Sequence, residues 1–216
     1  MNGALLQAKI YAGYAKAALR LGFVCSQYRP TAVTAAIVSG NLLGTLTAGF
    51  DAAADFSYDK PALHGKPLRY ALVDGARVQP ADYLVAPDAT YFIAGMEPLL
   101  PIVAVICNAT LSVLRPTPNA SVGAQPYGGD IVANETPVLT AWPGSIVQGT
   151  KGEKGDTNLP GDIRMPWYSV LLPALPGGVQ IETADVMTDS LGRRFKISSA
   201  ELGALGWRLT AALAET

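Results

Sequence analysis

Histidine, cysteine and charged residues are all scarce in this chain. Among 216 residues there are one histidine and two cysteines, and 15% of the residues are charged whereas half are hydrophobic. A zinc site needs several nitrogen, sulfur or carboxylate ligands, and acid–base catalysis needs a positioned histidine or carboxylate. We therefore expect no metal centre, no cofactor and no enzymatic activity.

The motifs that would contradict this expectation are missing from the sequence. The single histidine, His64, lies in PALHGKP with no carboxylate close to it in sequence. Ser145, in WPGSIV, lacks the spacing of a nucleophile elbow, and no glycine-rich phosphate loop precedes a helix. A lone loop histidine in this setting is typical of a structural or solvated side chain.

The two cysteines and the net charge also limit the function. Cys25 and Cys107 lie far apart and form neither a disulfide framework nor a metal-binding spacing, so two buried free thiols in a reducing compartment are favoured over a bridge. A net charge of −1 gives no global attraction to nucleic acid or to an anionic membrane. So few charges on a surface are typical of a subunit that is covered by partners.

The chain has no segment that we expect to span a membrane. Residues 30–50 carry no charge and contain the small-residue pattern GNLLG, but serine, asparagine, threonine and glycine make them too polar for a spanning helix. The first twenty residues carry scattered lysines and no continuous apolar core, unlike a signal peptide.

The first periodic segment predicts one helix over 4–21. Its apolar residues recur at three- and four-residue steps, and Gly22 follows as a terminating residue. All its charges are basic and lie on one face, where they are either a solvated surface or a strip that contacts an acidic partner or a phosphate backbone. These residues are Lys9, Lys16 and Arg20.

Strand and turn patterns follow. Asp74-Gly75 within LRYALVDGARVQP predicts a hairpin over 68–80, and the turn at Pro87-Asp88 predicts a second hairpin over 83–96. The apolar run 102–107 predicts a buried strand, with 111–114 as its partner across a turn. The last fifty residues return to strands, with a turn from Asp189 to Gly192.

A proline- and glycine-rich segment, 117–166, separates these two parts and predicts a long exposed loop that orders on contact with a neighbour. Its collagen-like stretch GTKGEKGD is too short for a triple helix and presents Lys151 and Lys154. We therefore expect a helical arm (1–22) and a β-rich domain (23–216), whose half-units, about 66–116 and 167–213, are joined by the loop.

The two half-units share a repeated pattern. ADYLVAPDATYFIA begins at Ala81 and ADVMTDSLGRRFKI at Ala184, and the repeat aligns the pairs Asp82/Asp185, Val78/Ile181 and Phe92/Phe195. A weaker echo links YRPTAV at 28–33 with LRPTPN at 114–119, each with an arginine before proline. The two aspartates are either strand-entry residues that bind backbone N–H groups or a carboxylate pair that binds or cleaves carbohydrate.

We favour the structural interpretation. Both copies of the repeat have the aspartate and a strand phenylalanine, but only the second has the two arginines, whereas a catalytic loop would be expected to keep its polar groups in both copies. The predicted fold is mainly β: an antiparallel barrel or sandwich built from two related hairpin units, with an N-terminal helix and a long loop. The expected turn residues are Asp74, Gly75, Asp82, Asp185 and Gly192. Arg193 and Arg194, which only the second copy has, are candidate partner contacts.

Nearly the whole chain resembles a family of tailed-bacteriophage and prophage structural proteins. The resemblance rests on LLQAK-x-x-x-GYAKAALRLG, NLLGTLTAGFD, HGKP-x-x-YALVDG, ADYLV-x-x-D-x-TYFIAGMEPLLPIVAVICN, WPGSIVQG and TDSLGRRFKI. Within this family the chain is similar to the head–tail joining proteins. These are small barrels or sandwiches whose hairpins usually carry glycine before the aspartate. Here Ala81 and Ala184 replace that glycine, which disfavours a tight turn.

The resemblance implies a neck, collar or connector protein of the virion, assembled in the cytoplasm of the bacterial host. The subunit would form a homo-oligomeric ring around the DNA channel and contact portal, neck or tail proteins. The N-terminal helix and the 145–162 loop would make the inter-subunit contacts. Non-specific contact with DNA would need few charges and is a secondary expectation.

Overall fold

The computed structural model describes residues 2–53, 65–117, 134–149 and 166–214. Among these residues there are one α-helix, two 3₁₀ turns (Ser39–Asn41 and Pro176–Gly178) and twelve strands. The elements are α1 (Gly3–Leu21), β1 (Phe23–Tyr28), β2 (Leu42–Asp51), β3 (Leu68–Leu72), β4 (Tyr83–Val85), β5 (Thr90–Gly95), β6 (Ile102–Cys107), β7 (Ala109–Pro116), β8 (Glu135–Gln148), β9 (Trp167–Leu172), β10 (Val186–Asp189), β11 (Arg194–Gly203) and β12 (Gly206–Leu213).

The strands form two closed antiparallel barrels of six strands each. Barrel 1 has the order β1-β2-β3-β6-β5-β4, and barrel 2 has the order β7-β8-β9-β12-β11-β10. The two orders are identical when six is added to each strand number, so the chain contains the same topology twice. The prediction of a mainly β protein with an N-terminal helix is confirmed, and its barrel alternative is the one that the structure adopts.

The strand register defines which residues of the two barrels are equivalent. Tyr28 on β1 faces Tyr83 on β4, and Leu114 on β7 faces Val186 on β10. The bulges are repeated as well: the β5–β6 pairing shifts between Ile93 and Gly95, and the β11–β12 pairing shifts between Ile197 and Ser199. Because bulges fix local twist and register, a shared bulge is strong evidence that the two barrels are one structural unit used twice.

The register corrects one pair of the sequence repeat. Phe92 faces Tyr83, whereas the equivalent of Tyr83, Val186, faces Lys196. Phe92 is therefore equivalent to Lys196 and not to Phe195. The reason is that the turn after β10 is one residue longer than the turn after β4, which moves every later residue by one position.

Helix α1 packs against β2 and β3 of barrel 1. It begins one residue before the predicted start and ends at the predicted residue, and Gly22 follows it with an extended backbone (φ −93°) and not the left-handed conformation of a usual glycine terminus. Glycine is needed there for space, because a Cβ atom on Gly22 would lie 2.5 Å from the Ala48 carbonyl oxygen. The Tyr11 ring packs in the same way against Gly75, where a Cβ would lie 2.6 Å from the ring.

Two of the predicted pairings differ from the structure. The turn at Asp74 exists, since Arg77 N–H donates to its carbonyl oxygen at 3.0 Å, but it does not close a hairpin. Instead β3 pairs with β2 on one edge and with β6 on the other, because closure of the barrel places a strand beside each edge of β3. Similarly, β7 does not pair with β6: the chain crosses at Asn108 into barrel 2, where β7 pairs with β8 and β10. The hairpin over 83–96 is confirmed as β4 and β5.

The predicted loop 117–166 contains a long strand. The 14-residue strand β8 includes Pro137 and Pro143, which weaken the sequence signal for a strand. The structure accommodates both prolines because β9 pairs only with the last part of β8, Ser145–Gln148, and no other described strand pairs with the earlier residues on that side. The expected half-units 66–116 and 167–213 thus do not coincide with the barrels, which meet at Asn108.

The buried apolar residues form two clusters, and one of them spans the junction between the barrels. Barrel 1 has its own interior cluster around Leu84, Ile93 and Ile102, while the interior of barrel 2 continues onto the outer face of barrel 1. At this junction the Tyr83 ring meets the Trp142 ring edge-on at 5.9 Å, and the Tyr83 hydroxyl donates to the Pro143 carbonyl oxygen at 2.7 Å. Burial raises the Tyr83 pKa well above its ordinary value, so this hydroxyl keeps its proton.

Candidate functional site

The aspartate of the first repeat copy lies at the entrance to β4 with no exposed surface. The Asp82 carboxylate accepts two hydrogen bonds from the Arg29 guanidinium, at 2.7 and 2.8 Å, and one from the Gln27 amide at 2.8 Å. It also accepts the Gln79 N–H at 3.0 Å, which closes the turn before the strand. Four donors therefore surround one carboxylate, and its hydrogen bonds to Arg29 raise the pKa of the arginine.

The aspartate of the second copy has the same arrangement. The Asp185 carboxylate accepts two hydrogen bonds of 2.9 Å from the Arg115 guanidinium and one of 2.8 Å from the Glu182 N–H. The exposed carboxylate of Glu182 also forms an ion pair with the Arg115 guanidinium, at 2.8 Å. The second copy lacks the glutamine, and Arg115 itself donates to the Gln180 carbonyl oxygen, whereas Gln27 fills the equivalent role in barrel 1.

The backbone around the two aspartates is also repeated. Ala81 and Ala184 both adopt positive φ, at 72° and 75°, which is the region that glycine prefers. In each copy the alanine N–H donates to an isoleucine carbonyl at 2.8 Å, and the isoleucine N–H donates back to the aspartate carbonyl at 2.9 Å; the two isoleucines are Ile93 and Ile197. The tight turn that alanine was expected to disfavour is therefore present, at the cost of local backbone strain.

This geometry favours structure over chemistry for the two aspartates. Each carboxylate is at most 2% exposed and is neutralised by an arginine within its own barrel. A carboxylate pair that acts on carbohydrate has to face one shared cleft lined with aromatic rings, whereas Trp142 is fully buried at the junction. The arrangement does not support the carbohydrate alternative.

The turn after β10 contains a third arginine–aspartate pair. The Asp189 carboxylate accepts Arg193 Nε at 2.8 Å and Nη2 at 2.7 Å, and it also accepts the Arg193 backbone N–H at 2.9 Å. The guanidinium lies 5.4 Å from the centre of the Phe195 ring and 5.8 Å from the Tyr168 ring. Gly192 completes this turn at φ 76°. The next residue, Arg194, pairs with Glu135.

Arg193 and Arg194 therefore bind carboxylates of their own chain. Their side chains remain 39% and 23% exposed, so part of each guanidinium still faces outward. Their role as partner contacts stays a prediction. The same applies to Lys151 and Lys154, which lie outside the described residues, as does His64.

The basic residues of α1 have a different environment. Lys9, Lys16 and Arg20 are all exposed, and none of them has an ion pair within the described parts of the chain. They lie on the side of α1 opposite Tyr11 and Ala18, which pack against barrel 1. These three basic side chains share one face of α1 and have no acidic partner among the described residues.

A cleft of about 480 Å³ lies between the barrels. Its walls include the turn that carries Asp88 and the turn that carries Ser190, together with Thr90, Thr110 and Asn108. The Asn108 side chain is already committed, because it donates to the Ile146 carbonyl and accepts the Ile146 N–H, both at 2.8 Å. The cleft offers hydroxyl groups and one exposed carboxylate but no set of groups suited to a specific reaction.

Neither a metal-binding cluster nor a membrane-spanning helix occurs among the described residues. They contain no group of histidine, cysteine and acidic side chains that could hold a metal ion. No helix among them has the length and apolar character to cross a membrane. Cys25 and Cys107 are free thiols, and burial raises the pKa of both.

Sequence reasoning missed the arginines that bind the two aspartates. Arg29 and Arg115 stand in the RPT echo, which we had treated as separate from the aspartate repeat. The sequence signal that could have found them is that the RPT motif and the aspartate motif each occur twice, which indicates that the two motifs contact each other.

Comparison with known proteins adds nothing further, as no family model, curated protein or solved structure matches the chain.

Proposed function

We propose that the protein is a virion structural subunit that forms a ring at the phage head–tail junction, as a connector, collar or adaptor around the DNA channel. The observation that carries this proposal is the uncovered apolar surface of barrel 1. Val24, Leu42 and Leu43 on the paired strands β1 and β2 are 63%, 46% and 54% exposed. Exposed apolar side chains on two paired strands favour association with another subunit.

The duplicated fold supports this proposal by an internal comparison. Val24 is equivalent to Thr110 in barrel 2, and Phe92, which barrel 2 covers, is equivalent to the exposed Lys196. At these two positions barrel 2 has a polar residue where barrel 1 has an apolar one. Since the fold is the same, stability does not require Val24 to be apolar, and a contact with another subunit would explain it.

A contact of this kind is heterologous, because a face of barrel 1 would meet a different face of the next copy. Heterologous contacts close into rings when the rotation between copies allows it. Low charge and buried aspartate pairs suit such a rigid building block. Portal, neck and tail proteins are the expected neighbours, with non-specific DNA contact in the channel as a secondary role.

The test is the size of the purified protein by multi-angle light scattering and mass photometry, followed by electron microscopy. We expect a ring-sized oligomer, and Val24→Lys should dissociate it. Thr110→Lys, the equivalent substitution on barrel 2, is the matched control and should leave the oligomer intact. A strict monomer that binds or hydrolyses oligosaccharides would overturn the proposal in favour of the carbohydrate alternative.

A further inference from the structure

We propose that an apolar seam along one side of α1 is a docking site for an acidic amphipathic helix of a different protein. The seam consists of Leu5, Ala8, Ala12, Ala15 and Leu19, with Lys9 and Lys16 along one of its edges. The proposal is independent of the β1–β2 face that would join copies of the chain to each other. It concerns the class of partner that a ring subunit would bind through its helix.

The spacing of the apolar residues is that of a helix-pairing seam. Leu5, Ala12 and Leu19 recur every seven residues, and Ala8 and Ala15 stand between them, so the five occupy the a and d positions of two and a half heptads. Leu5 and Leu19 are 64% and 74% exposed. A seam of this length can receive a straight helix of similar length, since α1 has 19 residues.

The seam does not serve the fold of barrel 1. The side of α1 that packs on the barrel carries Tyr11, Tyr14 and Ala18, of which Ala18 is 1% exposed. The seam lies about a quarter-turn around the helix from these residues, and Lys9, Lys16 and Arg20 lie on the side opposite to them. Leucine at both ends of the exposed seam therefore has no partner within the described residues of this chain.

Charge decides which helix fits. Lys9 and Lys16 occupy the positions beside the seam that select partners in coiled coils, and Arg20 lies next to its end. The helix contains no acidic residue, so a second α1 would bring only positive charge to the pair. A helix that carries glutamate or aspartate beside its own apolar residues would neutralise this charge, which favours a different protein as the occupant.

α1 is also fixed in place before any partner binds. The Leu99 N–H donates to the Gln7 side chain near the start of the helix, and the contacts at Gly75 and Gly22 fix its middle and its end. A helix held at three points loses little conformational entropy on binding, so a modest apolar seam suffices for measurable affinity.

The test uses the full-length protein and a designed peptide of about three heptads with leucine at a and d and glutamate at e and g. Titration calorimetry or fluorescence anisotropy should detect binding that weakens as salt is added. Leu5→Gln and Leu19→Gln should each weaken it by about tenfold or more, since each removes a buried leucine from the complex. Leu191→Gln, at a leucine that is 76% exposed on barrel 2, is the matched control and should not change it.

The charge arm uses Lys9→Glu with Lys16→Glu, which should abolish binding of the acidic peptide, whereas Lys66→Glu should not. A peptide with lysine in place of glutamate should not bind the unaltered protein. Three results would overturn the proposal: no binding of the acidic peptide, self-association that Leu5→Gln and Leu19→Gln abolish, or binding of a short DNA duplex that needs the lysines but not the leucines. Loss of the ring in Val24→Lys with peptide binding retained would separate this site from subunit association.

Discussion

The Arg29 guanidinium and the Asp82 carboxylate meet through two hydrogen bonds, although 53 residues separate them in the chain. The same relationship joins Arg115 to Asp185 across 70 residues in barrel 2. Each pair ties the end of the first strand of its barrel to the start of the fourth. A repeated RPT motif and a repeated aspartate are therefore two halves of one structural device.

The first prediction concerns the stability that these pairs contribute. Asp185→Ala should lower the free energy of unfolding by about 2–4 kcal/mol, because it removes two hydrogen bonds of Arg115 and leaves the Glu182 N–H without its acceptor. Asp82→Ala should cost more, because Asp82 also accepts from Gln27 and has no exposed surface. Urea denaturation measures both values.

The control for this prediction is Asp74→Ala, at a turn aspartate that has no arginine partner among the described residues, and this substitution should cost less than either. If Asp185→Ala keeps the melting temperature of the unaltered protein but loses ring formation or partner binding, then the carboxylate is functional and our structural interpretation is wrong.

The second prediction concerns the strained alanines. Ala81→Gly and Ala184→Gly should each raise the free energy of unfolding by up to about 1 kcal/mol, because glycine adopts positive φ without the steric cost that alanine pays. Ala71→Gly is the matched control in a buried strand and should destabilise the protein. Equal destabilisation by all three substitutions would show that the left-handed turns do not carry strain.

The third prediction separates the glycine that follows α1 from a glycine in the middle of the helix. Gly22→Ala should destabilise barrel 1 by several kcal/mol or detach α1, since its Cβ would overlap the Ala48 carbonyl. Gly13→Ala, within α1 and with nothing within 4 Å of the new Cβ, should stabilise the protein by about 0.5–1 kcal/mol. Thermal melts followed by circular dichroism distinguish the two, and a mild effect at Gly22 would contradict the close packing.

The fourth prediction concerns pH. Burial raises the pKa of the Cys25 thiol from 9.0 to about 11. The unfolded chain loses this proton first, so the stability that the thiol contributes is complete below about pH 9 and decreases as the pH rises toward about 11. The difference in unfolding free energy between the unaltered protein and Cys25→Ala should therefore fall between about pH 8 and about pH 10.5. A difference that stays constant over this range would show that the thiol is not shielded.

Local patterns in the sequence were sufficient for the elements whose signals depend on neighbouring residues. α1 was located to within one residue, since its apolar period and Gly22 are both local. The β4–β5 hairpin and β6 were found for the same reason. Strand β8 was missed because Pro137 and Pro143 are local signals against a strand, and only its unpaired edge makes them tolerable.

Other features followed only from the barrel. β3 pairs with β6 in addition to its chain neighbour β2, and β7 pairs with β10 in addition to β8, because closing a barrel of six strands brings together strands that are far apart in sequence. The turn after β10 is one residue longer than the turn after β4, and the sequence did not reveal this difference. An alignment without a gap matches Phe92 with Phe195, although the strand register makes Phe92 equivalent to Lys196. The candidate docking seam on α1 was present in the sequence as a heptad pattern, but its exposure depended on which side of the helix barrel 1 covers.

By itself, the sequence determined that this protein is mainly β with a basic N-terminal helix, and that an aspartate recurs at the start of a strand in each half. Those properties depend on composition, periodicity and turn residues, which act over a few positions. Only the tertiary structure decided that the chain forms two barrels of one topology, that Arg29 and Arg115 neutralise the two aspartates, and that the leucines of α1 face outward. These depend on contacts between distant residues, and such contacts are fixed by packing and strand pairing across the whole fold.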